Sequence, residues 1–67
     1  MKLYRVSVAN HYGIIMRRYT HAKSHGHAVH KLQRALPNLA HYKYSVVVEQ
    51  RYGRLSHFEL NHAIFLN

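Results

Sequence analysis

Histidine, lysine, arginine and tyrosine are the residues with which this chain can do chemistry. Eight His, ten Lys and Arg and six Tyr stand against two carboxylates, Glu49 and Glu59. Asp is absent, so mechanisms that need two neighbouring carboxylates, those of glycosidases and two-metal centres, have almost nothing to work with. Cys is absent too, which removes thiolate zinc sites, cysteine nucleophiles and a disulfide framework. What remains is a formal charge of +8 and a pI near 10.3, a balance that calls for an anionic partner. Lys and Arg neutralise phosphates through counterion release, and Tyr offers a face on which bases stack.

The histidines invite two sharper readings. His21 and His25 are four apart, His25 and His27 flank Gly26, and His30 follows one helical turn after His27, a spacing compatible with metal ligation. On a helix, however, His25 sides with the apolar arc while His27 and His30 face away, and no acidic neighbour is present to orient their rings. No metal and no cofactor is therefore expected. A metal-independent ribonuclease is the enzyme class that survives, with His57 near Arg54 or Arg17, or His21 with His25, doing acid and base work on a phosphodiester. Ser24 reads as a helix cap, and without Asp no serine completes a triad. The favoured expectation is a protein without catalytic activity.

These side chains must be positioned by a single small domain over residues 1–67, since 67 residues with 48% hydrophobic content suffice for one core and no more. Residues 3–9 alternate with a period of two, Asn10 to Gly13 supply turn residues, and 14–21 resume a β-rich run, which predicts a hairpin over 3–21. From Ser24 the period changes. Ala28, Val29, Leu32, Ala35 and Leu36 recur at helical spacing, with Ser24 as N-cap and Pro37-Asn38 as a stop, so a helix is expected over 24–36. Lys23, His27, His30, Lys31 and Arg34 fall on its other side. Gly26 lowers helix propensity by roughly 1 kcal/mol relative to Ala, so that helix should depend on docking against a sheet.

Residues 42–50 alternate again, Arg51 to Arg54 resemble the first turn, and 55–60 read as a further strand, giving a second hairpin over 42–60. The tail, 61–67, is compatible with either a strand or a helical turn. Laying each residue over the one forty positions later aligns Tyr4 with Tyr44, Val6 with Val46, Val8 with Val48, Tyr12 with Tyr52 and Gly13 with Gly53, as if the two hairpins shared a plan. The expected fold is α+β, a ββαββ domain whose four-stranded antiparallel sheet packs one face on a single helix. Tyr4, Val6, Val8, Ile14, Met16, Tyr44, Val46, Val48, Phe58 and Leu60 would form the packed face. Arg5, Ile15, Arg17, Tyr19, His21, Lys43, Val47 and His57 would line an opposite face that nothing covers, through which a homodimer could form. A domain this short buries only about 60% of its unfolded surface, which makes a second copy or a partner a natural source of stability.

Three surfaces compete for an anionic ligand: the open sheet face, the basic side of the helix, and the paired turns. The contact residues chosen from them are Arg5, Arg17, Lys31, Arg34, Lys43, Arg51, Tyr52 and Arg54, the cations neutralising phosphates or carboxylates and Tyr52 stacking at a turn. No zinc-finger spacing, GXXG loop or ribonucleoprotein aromatic signature accompanies them, so nucleic acid is favoured on composition, with DNA and RNA equally open.

The strand Ile14 to Thr20, the helix Ser24 to Leu36 with Ala28 in its apolar arc, and the strand Tyr42 to Glu49 span roughly half of the chain. In that pattern the chain resembles the small proteins with which bacteriophages bind and redirect host transcription or replication machinery. The resemblance implies an inhibitor or adaptor docking on an acidic surface of a host protein, the alternative to nucleic acid. Members that bind basic clefts are acidic and this chain is basic, so no host target and no functional residue carries over. The apolar runs are far short of the roughly 20 residues that span a bilayer, and the charged start lacks the apolar core of a signal peptide. No membrane association is expected, and with no Cys the cytoplasm is the expected location.

Overall fold

The structure, a computed structural model, describes residues 1–41 and 43–66, and of residues 40 and 41 the backbone alone. Two long strands open the chain, β1 (Lys2–Asn10) and β2 (Gly13–Ala22), paired antiparallel as the alternation requires. Their connection is tight because Asn10 and Gly13 face each other in the register. The Asn10 carboxamide oxygen accepts the Tyr12 backbone N–H at 2.8 Å, and Gly13 adopts a φ of +120°, which L side chains rarely take up.

Helix α1 (His25–Ala35) follows, starting and stopping where the caps predict. The Ser24 hydroxyl accepts the His27 N–H at 3.1 Å, and Leu36, before Pro37, closes the last turn through its own N–H to the Leu32 carbonyl. A 3₁₀ turn, Pro37–His41, leads to β3 (Ser45–Arg51), which pairs antiparallel with β1. The sheet order is β2-β1-β3, with β1 central. Tyr4, Val6 and Val8 of β1, Ala22 at the end of β2, and Ala28 and Leu32 of α1 are almost wholly removed from water, with Leu39 of the 3₁₀ turn beside them. Met16, Tyr44, Val46, Val48, Leu36 and Leu66 pack around this centre.

The fold departs from the expected ββαββ in its second half. The sheet has three strands, and residues 55–60, expected to be a fourth, instead lead into helix α2 (His57–His62). The cause is local. Ser56 and Glu59 form a reciprocal capping box, the Ser56 hydroxyl accepting the Glu59 N–H and the Glu59 carboxylate accepting the Ser56 N–H, each at 3.1 Å. The period-two spacing of Phe58 and Leu60 is therefore accidental, and both side chains lie outside the core, 71% and 66% exposed.

Ile14 leaves the predicted core as well. Val8 pairs with Met16 but Ala9 pairs with Ile14, so Ile15 is the extra residue of a β-bulge and the parity of the strand flips there. The forty-residue correspondence extends to the strands and to the glycines, Gly53 having a φ of +72°, but stops at the turn, because one Gly leads into a strand and the other into α2. Tyr42, the first residue of the expected third strand, lies outside the described residues, as does Asn67.

After α2 the chain runs along the outer edge of β2. Tyr19 N–H donates to the Ile64 carbonyl and Leu66 N–H to the Tyr19 carbonyl, both at 2.8 Å, a minimal parallel bridge between Tyr19 and Phe65. The sheet face opposite α1, expected to be bare, instead meets α2 through the Glu59 side chain, which reaches Tyr19 and Arg51. Tyr19, placed among the exposed residues by parity, is 6% exposed, with Glu59 on its hydroxyl and the Phe65 ring against its own at 5.7 Å. Lys43 and His57 also leave that face, since neither lies in a strand.

Candidate nucleic-acid interface

The two carboxylates decide which cations are available. Arg5 and Glu49 are cross-strand neighbours in the β1-β3 register, and the Arg5 guanidinium donates to Glu49 Oε1 at 2.9 Å. That bond raises the Arg5 pKa further, against the opposing effect of burial. Glu59 gathers three elements. Tyr19 Oη donates to its Oε2 at 2.6 Å, Arg51 donates to its Oε1 at 2.6 Å, and the Ser56 N–H completes the set. The Tyr19 hydroxyl and the Ser56 N–H hold the Glu59 carboxyl below the usual carboxylate range, assisted by the Arg51 charge. Burial first, and then the Glu59 carboxylate, pushes the Tyr19 phenol up.

Both acids are thereby bound to Arg5 and Arg51 on one sheet face. Eight of the ten Lys and Arg keep no carboxylate partner among the described residues. The outer side of α1 brings the densest group together. His27, His30, Lys31 and Arg34, at helical spacings of three, one and three, line an open groove of about 480 Å³ whose far wall is Phe65 and Leu66 of the C-terminal segment. Among the described residues no carboxylate lines it. Lys31 is fixed at the groove by donating to the His21 carbonyl at 2.7 Å, which leaves two of its three N–H donors free for a ligand.

The other chosen residues are divided between three places. Arg17 lines a smaller cavity with Arg5, between the sheet and α2. Lys43 stands at the opposite end, in a mostly apolar hollow of about 540 Å³ with Asn10, His11, Ile15, Leu39 and Tyr44. Arg51, Tyr52 and Arg54 occupy the end of β3 and the following loop, where Tyr52 is 78% exposed. The structure therefore joins Lys31 with Arg34 and Arg5 with Arg17, and spreads the remainder.

The histidines diverge. His21 lies over the Phe65 ring at 6.0 Å, whereas His25 packs edge-on against Tyr4 at 5.0 Å on the opposite sheet face. Among the described residues no group of three His, Cys, Asp or Glu is placed to hold a metal. The cavity-lining positions not among the chosen contact residues include His27 and His30 in the groove and Phe58 and His62 on α2. The first two were legible, since they share the helical stripe with Lys31 and Arg34. The last two were hidden by the strand reading of residues 55–60.

No family model matches the chain, and no curated protein or solved structure matches it. Among the described residues no helix is long and apolar enough to cross a membrane.

Proposed function

We propose that this chain is a basic binding module without catalytic activity, acting in the cytoplasm, whose partner is nucleic acid and whose main contact is the outer side of α1. The observation that carries the reading is the placement of both carboxylates. Glu49 and Glu59 are bound on one sheet face, so among the described residues the groove of His27, His30, Lys31 and Arg34 is lined by cations and by no acid. A polyanion laid along α1 meets Lys31 and Arg34 one turn apart, with His27 and His30 beside them.

The test is a salt titration of binding to a generic duplex and to a single strand. Binding should weaken linearly in log–log form as salt rises, and Lys31→Glu with Arg34→Glu should abolish it while leaving the fold intact, because Arg34 is exposed and Lys31 only half-buried. Absence of any complex at about 50 mM salt would overturn the reading.

A second reading, an adaptor or inhibitor of the phage type on an acidic surface of a host transcription or replication protein, is favoured by the outer edge of β3. Among the described residues nothing pairs with that edge, and Val46, Val47 and Val48 run along it, open to strand addition. Pull-down from lysate with and without nuclease separates the two, since a nucleic-acid bridge is lost on digestion and a protein partner is retained.

A further inference from the structure

We infer that the cavity between the sheet and α2 is a subsite for one unpaired nucleotide of a single strand, its phosphate on Arg17 and its base stacked on Phe58. The inference rests on the nucleic-acid reading above and adds a second contact surface to it, on the face opposite α1.

The cavity measures about 230 Å³ and is lined from the sheet by Arg5, Arg17 and Tyr19 and from α2 by Phe58, Glu59 and His62. That is smaller than the usual pocket for a drug-sized ligand and suits a phosphate with part of its sugar. The charges around it divide cleanly. Arg5 is bound by Glu49 and Glu59 by Arg51, while Arg17, exposed at the rim, has no carboxylate partner among the described residues and is the cation left to meet an anion. His62 stands at the same cavity.

The lip is aromatic. Phe58 is 71% exposed, and its ring stacks on His62 at 4.3 Å with 21° between planes. One face of a large apolar ring is thus supported from behind while most of its surface stays in water, an arrangement that rewards a stacking partner. Bases in a duplex are already stacked on each other, so only an unpaired base can be laid there.

The polar atoms beneath point the same way. Among the described residues, the buried side-chain atoms without a hydrogen-bond partner are Arg5 Nε, Ser7 Oγ and Arg51 Nε. All three residues belong to the sheet face that carries this cavity, Ser7 lying directly opposite Arg17 in the register and 3% exposed. Native interiors rarely leave such atoms unsatisfied, and Arg5 lines the cavity itself.

Fluorescently labelled oligo(dT) and oligo(U), with a duplex of equal length as control, test the inference by anisotropy. Phe58→Ala and Arg17→Ala alter exposed side chains, and circular dichroism confirms that each variant is folded. Each should weaken single-strand binding by about tenfold, the loss typical of one stacked base, and change duplex binding by less than twofold. Arg17→Ala should also lower the salt slope for the single strand by about one. If wild type binds nucleic acid through the α1 groove, as judged by Lys31→Glu with Arg34→Glu, while both new variants bind oligo(dT) and oligo(U) as wild type does, the subsite is overturned and the nucleic-acid reading stands. If wild type binds no oligonucleotide at all, both are overturned.

Discussion

Glu59 shows how one side chain can fix the chemistry of a whole face. It accepts from Tyr19 of β2, Arg51 of β3 and its own capping partner Ser56, and so joins two outer strands of the sheet to α2. Its carboxyl is held below the ordinary carboxylate range, so the unfolded chain binds this proton at a pH where the native chain does not. Stability from this group is accordingly complete above the unfolded carboxylate range and is lost as pH falls through the native one. Tyr19, pushed up, acts at the other end: its contribution is complete below the unfolded tyrosine range and is lost as pH rises through the native value. Glu59→Gln should therefore be less stable than wild type at neutral pH, and the difference should narrow on acidification. Parallel thermal melts at pH 7 and at about pH 3 check this, with the comparison between the two proteins cancelling the protonation of the eight His that both share. A difference that stays constant across that interval would remove Glu59 from its position as the charged tie.

Elements in this fold differ in what holds them. Helix α1 rests on burial, with Ala28 and Leu32 wholly inside, whereas α2 has no buried residue and rests on its ends. Ser56→Ala removes half of the capping box and should lower the local stability of α2 by about 1 kcal/mol, read as faster amide exchange at Leu60 and Ala63, which donate to Ser56 and Glu59. Amides of β1 should keep wild-type protection. The same contrast explains what sequence reading could reach. For α1 the period, the N-cap and the stop at Pro37 agree, so its bounds were legible to within a residue of those observed. A helix that buries nothing has no periodic apolar stripe, and the Ser56-to-Glu59 spacing was its only signal. The bulge at Ile15 escaped for a similar reason, because a single inserted residue flips parity without changing composition.

At the scale of the molecule, one small core supports everything else. Tyr4, Val6 and Val8 on the central strand meet Leu32 on α1, and all are at most 1% exposed. Leu32→Ala should destabilise the fold by about 2–5 kcal/mol, a large part of what a domain of this size commands, and denaturant melts should show a lower midpoint or no cooperative transition. On the proposed function, that variant should lose nucleic-acid binding together with the fold, whereas the charge-reversed one should lose binding while folded.

By itself the amino-acid sequence determined the charge, the absence of Asp and Cys, the first hairpin, α1 and most of the core, because composition is additive and periodicity is local. Only the tertiary structure decided where the two carboxylates go. Glu49 reaches Arg5 across 44 residues and Glu59 reaches Tyr19 across 40, and contacts at such separations follow from strand order and helix docking rather than from any neighbouring residue. That choice binds Arg5 and Arg51, leaves Arg17, Lys31 and Arg34 without a carboxylate partner among the described residues, and turns Phe58 from a supposed core residue into an exposed ring.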